Sequence, residues 1–230
     1  MADPAFVLVH SPLAGPSTWA PVAEALAAKG RRAIVPVLRP GEVAGGPFRV
    51  QLAEQVAEAV TGVGSVILVG HSGAGLLLPA IGEELTVEVE GTVFVDATIP
   101  ARTGATPVVA PEFMHAVRQM ATEGLVPKWS AWWPEDVMRT LIPDDGLRQM
   151  VEDELPSLPL AYFEEVVPTP AGWTAQGCSY LQFSEPYLPT AAEAEARGWP
   201  VGRLPGGHLH MLVDPGQVTK TLLMLAANDH

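Results

Sequence analysis

Short apolar runs alternate with longer amphipathic segments along most of the chain. The helical spacing falls in residues 18–29, 50–60, 73–85 and 215–226. The apolar runs, rich in valine, isoleucine and leucine, lie at residues 6–9, 33–37, 66–69, 92–95, 180–183 and 201–204. Continuous apolar strands are typical of a sheet that helices cover on both faces. The pattern therefore predicts an α/β fold, with a mostly parallel sheet of about six strands and helices on both faces.

The alternation is interrupted between residues 100 and 175. This stretch contains many prolines and aromatic residues and has no convincing strand pattern. A long segment inserted between two strands at one end of a sheet typically covers a binding face. We therefore expect a core formed by residues 1–99 and 176–230, with a helical cap at residues 100–175.

Composition and charge exclude several classes of function. The 230 residues carry 13 basic and 26 acidic side chains, a net charge of -13, which is the wrong sign for binding nucleic acid or an anionic membrane surface. The single cysteine, Cys178, permits no internal disulfide. The first residues lack the basic and apolar regions of a signal peptide. We expect a cytoplasmic protein; its oligomeric state stays open, with a homodimer as one option.

A serine flanked by glycines marks the point where a predicted strand turns into a predicted helix. Residues 65–75 have the sequence SVILVGHSGAG. Such a nucleophile elbow exposes the Ser72 hydroxyl above the sheet, next to the free N–H groups of the following helix. Gly70 and Gly73 provide the room for this turn, and Ala74 takes the last position of the G-x-S-x-G pattern. A plain glycine turn would not explain the flanking strand and helix.

A serine nucleophile needs a histidine base and an acid that orients the base, in the chain order serine, acid, histidine. His208 follows two glycines before the last predicted helix, and we predict that it is the base. We expect His210 to be structural and predict no metal site, because no further ligand cluster accompanies the pair. Glu185 and Asp96 are both candidates for the acid. Glu185 is preferred, since it follows the strand that precedes His208.

These segments together resemble the alpha/beta-hydrolase fold over nearly the whole chain, and most closely its small methylesterases and hydroxynitrile lyases. Residues 6–19, FVLVHSPLAGPSTW, keep the family's spacing from a histidine at a strand end to a tryptophan, and residues 94–100 and 207–215 also fit. The resemblance implies a Ser-His-acid triad, no cofactor and a cap over an apolar pocket. Pro186 stands where the family has its catalytic aspartate, which keeps Asp96 in consideration.

A second departure affects the oxyanion hole. The related esterases usually have glycine after the first histidine, and the next residue donates a backbone N–H to the oxyanion. Here these residues are Ser11 and Pro12, and proline has no N–H. We expect the Gly73 N–H to be one donor and either the Leu13 N–H or the Ser11 hydroxyl to be the other. The lyases of the family have threonine at the position of Ser11.

The expected pocket lies between the cap and the elbow. The residues that we predict to line it are Pro12, His71, Trp129, Trp132 and Trp133. The tryptophans have an equally reasonable structural role, namely packing between the cap and the core.

These features together predict a serine hydrolase that cleaves an ester, thioester or lactone of a small to medium apolar molecule. An alternative is a lyase, cyclase or dehydratase in which the same serine and histidine transfer protons without acylation. A ligand-binding protein without turnover is a third possibility, because folds of this kind host more than one function.

Overall fold

A computed structural model describes residues 3–41, 46–133, 136–171, 173 and 177–227. Residues 174–176, at the predicted boundary between cap and core, lie outside the described residues, as do both ends of the predicted core. The strands are β1 Ala5–Val9, β2 Ala33–Ile34, β3 Ser65–His71, β4 Glu88–Val95, β5 Ala105–Pro107, β6 Leu125–Val126, β7 Leu158–Pro159, β8 Val166–Pro168, β9 Cys178–Gln182 and β10 Val201–Arg203. The α-helices are α1 Ala20–Ala27, α2 Phe48–Ala59, α3 Leu78–Glu84, α4 Pro111–Met120, α5 Val137–Leu141, α6 Asp145–Glu154, α7 Leu160–Phe163, α8 Leu188–Ala196, α9 His210–Val213 and α10 Pro215–Ala227.

The central sheet has the strand order β10-β9-β4-β3-β1-β2, and every pairing within it is parallel. Alternate residues of β1 enter opposite cores: Val7 packs with Leu52 of α2, and Leu8 packs with Leu222 of α10. Helices therefore cover both faces, which confirms the predicted fold class. Because all six strands run the same way, their carboxyl ends meet at one edge of the sheet, where ligands bind in this class of fold.

Two predicted elements differ from those in the structure. The strand predicted at residues 33–37 pairs with β1 only over Ala33–Ile34; Pro36 cannot donate to a sheet, and this strand lies at the edge. The helix predicted at residues 73–85 begins as a 3-10 helix over Ser72–Leu77 and becomes the α-helix α3 only at Leu78. Gly75 is required in the 3-10 segment, because a β-carbon there would lie 2.2 Å from the Thr98 carbonyl oxygen.

The segment between β4 and β9, hereafter the insertion, contains strands as well as helices. Two antiparallel ribbons, β5 with β8 and β6 with β7, accompany helices α4 to α7. The expectation of a segment without strands is thus wrong. Strands of two or three residues are too short to produce a period-two pattern, and Pro107, Pro159 and Pro168 obscure them further, although proline is tolerated at the edge of a ribbon.

Helix α8, which connects β9 to β10, was also absent from the sequence prediction. Its alanine-rich sequence gives a weak amphipathic pattern, although Ala191 and Ala194 are fully buried against the sheet. Within the described part of the chain, no helix combines the length and the apolar character needed to cross a membrane.

Candidate active site

The backbone is strained at Ser72, which follows the last residue of β3. Its φ of 56° lies in the left-handed region, which costs about 1 to 3 kcal/mol for a residue other than glycine. The strain directs the Ser72 side chain away from the sheet, as the sequence predicts for an elbow. Gly70 makes the turn possible, because a β-carbon at this position would lie 2.8 Å from the Leu78 side chain.

The side chains of Ser72 and His208 lie within hydrogen-bond distance. His208 Nε2 is 3.0 Å from Ser72 Oγ, and His208 Nδ1 is 2.7 Å from Asp96 Oδ2. The carboxylate can only accept, so Nδ1 carries the proton and Nε2 accepts the Ser72 hydroxyl proton. A loop after β10 thus brings the imidazole over the elbow, 136 residues along the chain from the serine.

Asp96, which directly follows β4, is the carboxylate that faces His208. It is fully buried, whereas Glu185 is exposed. The preference for Glu185 as the partner of His208 is therefore wrong. The physical reason is the adjacency of β4 and β9: both strands end beside the imidazole, and the left-handed φ of 42° at Asp96 turns its side chain inward.

The residues after β9 hold the Asp96 carboxylate in place. The backbone N–H groups of Phe183 and Ser184 donate to Oδ1 at 2.8 and 2.9 Å, and the Ser184 hydroxyl donates to Oδ2 at 2.5 Å. Burial by itself would raise the pKa of the Asp96 carboxyl, but the hydrogen bonds and charge of His208, together with those from Ser184, hold this pKa below its ordinary value. The carboxylate is therefore ionised at neutral pH.

Among the described residues, the aromatic rings of Tyr187, His71 and Trp129 lie against His208. Tyr187 is stacked on it, with ring centroids 5.1 Å apart and an interplanar angle of 2°. Burial raises the pKa of the Tyr187 hydroxyl, which is close enough to the Ser72 hydroxyl for the two to interact. His71 lies 4.5 Å from His208, centroid to centroid, and its Nε2–H donates to the His208 carbonyl oxygen at 2.9 Å. Burial lowers the pKa of His71 to about 3, so this side chain stays neutral.

The loop after β1 borders the elbow. His10 Nδ1–H donates to the Ser11 carbonyl oxygen at 2.8 Å, and His10 Nε2 accepts the Leu38 N–H at 3.1 Å. The Leu13 N–H donates to Ser11 Oγ at 3.3 Å. A β-carbon placed on Gly73 would lie 3.6 Å from Ser11 Oγ and 3.9 Å from the Pro12 ring. The three predicted oxyanion donors, Ser11, Leu13 and Gly73, therefore lie close to Ser72. Pro12, which was predicted to line the pocket, is not among the residues that line the cavity beside Ser72.

A small cavity of about 40 Å³ opens beside Ser72 and His208. The insertion contributes four of its lining residues, namely Trp129, Met138, Val151 and Leu155. Leu13, Ala14 and Leu209 from the core complete a largely apolar wall, and Ser11, Thr18 and His71 add polar groups.

Of the three tryptophans predicted to line the pocket, Trp129 alone borders this cavity. Trp132 packs on Phe163 and donates its Nε1–H to the Pro127 carbonyl oxygen at 2.9 Å. Trp133 is 47% exposed. The prediction is wrong for these two residues because Trp129–Trp132 forms a 3-10 turn, which directs successive side chains in different directions.

The sequence analysis missed three residues of this site: Ser184 and Tyr187, which contact the Asp96–His208 pair, and Tyr162 of α7. The hydroxyl of Tyr162 would lie 3.9 Å from a β-carbon on Gly73. No local motif marks any of them. The roles of Ser184 and Tyr187 depend on the pairing of β9 with β4, and that of Tyr162 on how the insertion packs over the elbow.

Comparison with solved structures shows the same overall fold. An extracellular alpha/beta-hydrolase from a Paenibacillus species, described as sharing structural and functional homology with tobacco salicylic acid binding protein 2, is 17% identical and has a TM-score of 0.76, with 97% of this chain and 99% of that chain covered. Polyneuridine aldehyde esterase is 16% identical with a TM-score of 0.72, at 98% and 100% coverage. A malate-bound thermophilic esterase from Thermogutta terrifontis is 21% identical with a TM-score of 0.68, at 100% and 91% coverage.

Among curated proteins, none matches this sequence. The model of the alpha/beta hydrolase family, in contrast, matches residues 6–221, which include the elbow, Asp96 and His208. This chain therefore belongs to the alpha/beta hydrolase family.

Proposed function

We propose that this protein is a serine esterase that acts on a small carboxylic ester, thioester or lactone. The observation that carries the proposal is the continuous chain of hydrogen bonds from Ser72 through His208 to Asp96. This is the arrangement that acyl transfer requires: a nucleophile, a base within reach of its proton, and a buried anion that fixes the tautomer of the base.

The reaction begins when Ser72 Oγ attacks the carbonyl carbon of the substrate and His208 Nε2 accepts the hydroxyl proton. The imidazolium that results is stabilised by the ionised Asp96, 2.7 Å from its other nitrogen. His208 then donates the proton to the leaving alcohol or thiol, which departs and leaves an acyl-serine. Water, deprotonated by His208, attacks the acyl carbon; His208 then returns the proton to Ser72 Oγ as the ester bond to the serine breaks and the acid leaves.

The size and lining of the cavity support a small apolar substrate. Its volume of about 40 Å³ is well below the range of about 300 to 1,000 Å³ that is usual for small-molecule sites, so only a small group fits beside Ser72. Apolar side chains form most of the wall, and the described residues that line it include no lysine or arginine that would attract a carboxylate. We expect short acyl groups to be preferred to long ones.

A fluorophosphonate probe and p-nitrophenyl esters test this proposal. Stoichiometric labelling at Ser72, steady turnover of p-nitrophenyl acetate or butyrate, and a decline towards the octanoate are expected. Ser72→Ala should abolish both labelling and turnover. Full activity of Ser72→Ala on the preferred ester would exclude acyl transfer through this residue.

One observation favours a second candidate, a lyase. Pro12 has no N–H at the position where related esterases have an oxyanion donor, and the Ser11 hydroxyl lies beside the elbow. A lyase would use the Ser72–His208 pair for proton transfer and would form no acyl-enzyme. Labelling of Ser72 without turnover of any p-nitrophenyl ester would favour this candidate.

A further inference from the structure

The proposed reaction needs a second hydrogen-bond donor for the oxyanion. As the carbonyl oxygen gains negative charge, the N–H of the residue after the nucleophile, Gly73, supplies one donor. The loop after β1 ordinarily supplies the other, but Pro12 has no N–H, and the Leu13 N–H already donates to Ser11 Oγ at 3.3 Å. The second donor must therefore be sought among the side chains around Gly73.

Two hydroxyl groups border the space beside Gly73. A β-carbon on this glycine would lie 3.6 Å from Ser11 Oγ and 3.9 Å from the Tyr162 hydroxyl oxygen. Both hydroxyls therefore lie near Gly73, the Ser11 hydroxyl from the core and the Tyr162 hydroxyl from helix α7 of the insertion. Glycine at this position keeps side-chain atoms out of the space beside them.

The surroundings of Tyr162 keep its hydroxyl protonated, so that it can donate a hydrogen bond. Its ring is buried and held edge-on by Phe48 of α2, at 5.8 Å between centroids, and by Phe163, at 5.2 Å. Burial raises the pKa of its hydroxyl far above the ordinary value, and the charge of Glu165 acts in the same direction. The phenol therefore stays protonated through the neutral range, and its position varies little because two rings fix it.

We infer that the Tyr162 hydroxyl is the second oxyanion donor and replaces the N–H that Pro12 lacks, with the Ser11 hydroxyl in a supporting position. This inference rests on the proposed esterase function. When Ser72 Oγ bonds to the carbonyl carbon, the π electrons move to the oxygen, which accepts hydrogen bonds from the Gly73 N–H and the Tyr162 O–H. No proton leaves the tyrosine, and the electrons return to the carbonyl when the leaving group departs.

The oxyanion hole would then depend on the insertion as well as on the core. Tyr162 belongs to α7, so the core alone provides the nucleophile, base and acid but not the complete oxyanion hole. Correct packing of α7 on α2, through Tyr162 and Phe48, is then a condition for catalysis and not only for substrate binding.

Tyr162→Phe removes one oxygen atom and keeps the ring. We expect kcat on a p-nitrophenyl ester to fall about 100- to 1,000-fold, as for the loss of one oxyanion donor, with KM changed less than about threefold. A trifluoromethyl ketone with the same acyl group tests the role directly, because its adduct with Ser72 carries an oxyanion. Its affinity should fall by a similar factor, while the affinity for the product alcohol stays the same.

Phe113→Leu is the control, since this aromatic residue belongs to the insertion but is 63% exposed and is not part of the site; its kcat should stay within about threefold of the native value. Ser11→Ala should lose about tenfold, as expected for one hydrogen bond to a charged group. If Tyr162→Phe keeps both kcat and ketone affinity while Ser72→Ala is inactive, this inference is wrong and the esterase proposal stands. If the native protein neither turns over esters nor forms the ketone adduct, both are wrong.

Discussion

Strands β4 and β9 are neighbours in the sheet, and each ends beside His208, yet the two ends contribute different groups. The end of β4 contributes a carboxylate, Asp96, at a left-handed φ. The end of β9 contributes donors to that carboxylate from Phe183 and Ser184, and then the ring of Tyr187. The resemblance to the small methylesterases implies an acid at the second of these places, where this chain has Pro186.

Both strand ends thus lie beside the His208 imidazole, and it is the β4 end that provides the carboxylate facing it. What the imidazole requires is a buried carboxylate at one point in space, and both strand ends reach that point. The strand that does not supply the acid must then donate hydrogen bonds that offset the free-energy cost of burying the carboxylate. The β9 end does so here with three hydrogen bonds, which would otherwise be missing around a fully buried carboxylate.

Removing each carboxylate in turn tests which strand end supplies the partner of His208. Asp96→Asn should lower kcat/KM about 1,000- to 10,000-fold, because the amide favours the wrong tautomer of His208 and no longer stabilises its charged form. Glu185→Gln, the matched control at the end of β9, should stay within about twofold, since this side chain is exposed. Steady-state rates on one p-nitrophenyl ester measure both. A larger loss in Glu185→Gln than in Asp96→Asn would reverse the assignment.

The ends of β4 and β9 also show which parts of the site can be predicted from the sequence. The positions of Ser72 and His208 follow from local signals, a glycine-flanked turn after an apolar strand and a glycine pair before a helix. The choice between Asp96 and Glu185 depends on which strands are adjacent and on the φ of one residue, and neither is encoded in a local pattern. A six-strand parallel sheet was predictable because its strands overlap apolar runs in the sequence, of which those in β1 and β3 are the clearest.

The sequence pattern distinguishes the insertion from the core but does not predict its internal structure. Its prolines and aromatic residues mark it as different from the core, but they do not determine which side chains point inward. Trp129, Trp132 and Trp133 are equivalent in the sequence, and only the first borders the cavity. Tyr162 appeared simply as one of several aromatic residues, because its distance to Gly73 depends on the packing of α7 on α2.

A smaller effect should come from the stack at the β9 end. Tyr187→Leu removes the ring that lies parallel to His208, and an aromatic pair of this kind is worth about 0.5 to 1.5 kcal/mol beyond its buried area. We expect kcat/KM to fall about 3- to 10-fold and the pH dependence of kcat/KM to shift, because the environment of the base changes. Tyr187→Phe keeps the stack and should retain the native pH dependence. If Tyr187→Leu changes neither the rate nor the pH profile, the stack does not position the base.

The smallest expected effect is on the pH dependence of folding stability. It distinguishes an Asp96 carboxylate that is stabilised by hydrogen bonds from one that is only buried. The pKa of Asp96 is lower in the folded protein than its ordinary value, so its ionised form favours folding. This contribution is fully present above the pKa of the unfolded chain, about 3.9, and is lost as the pH falls through the lower pKa of the folded state.

Urea unfolding of the native protein and of Asp96→Asn, measured between pH 6 and pH 3, isolates this contribution because the other acidic residues are common to both. We expect the native protein to be the more stable at pH 6 and the difference to shrink below about pH 4. Ser184→Ala removes the 2.5 Å hydrogen bond to Oδ2 and should reduce the difference already at pH 6. A difference that grows as the pH falls would mean that burial dominates and that the β9 end does not stabilise the charge.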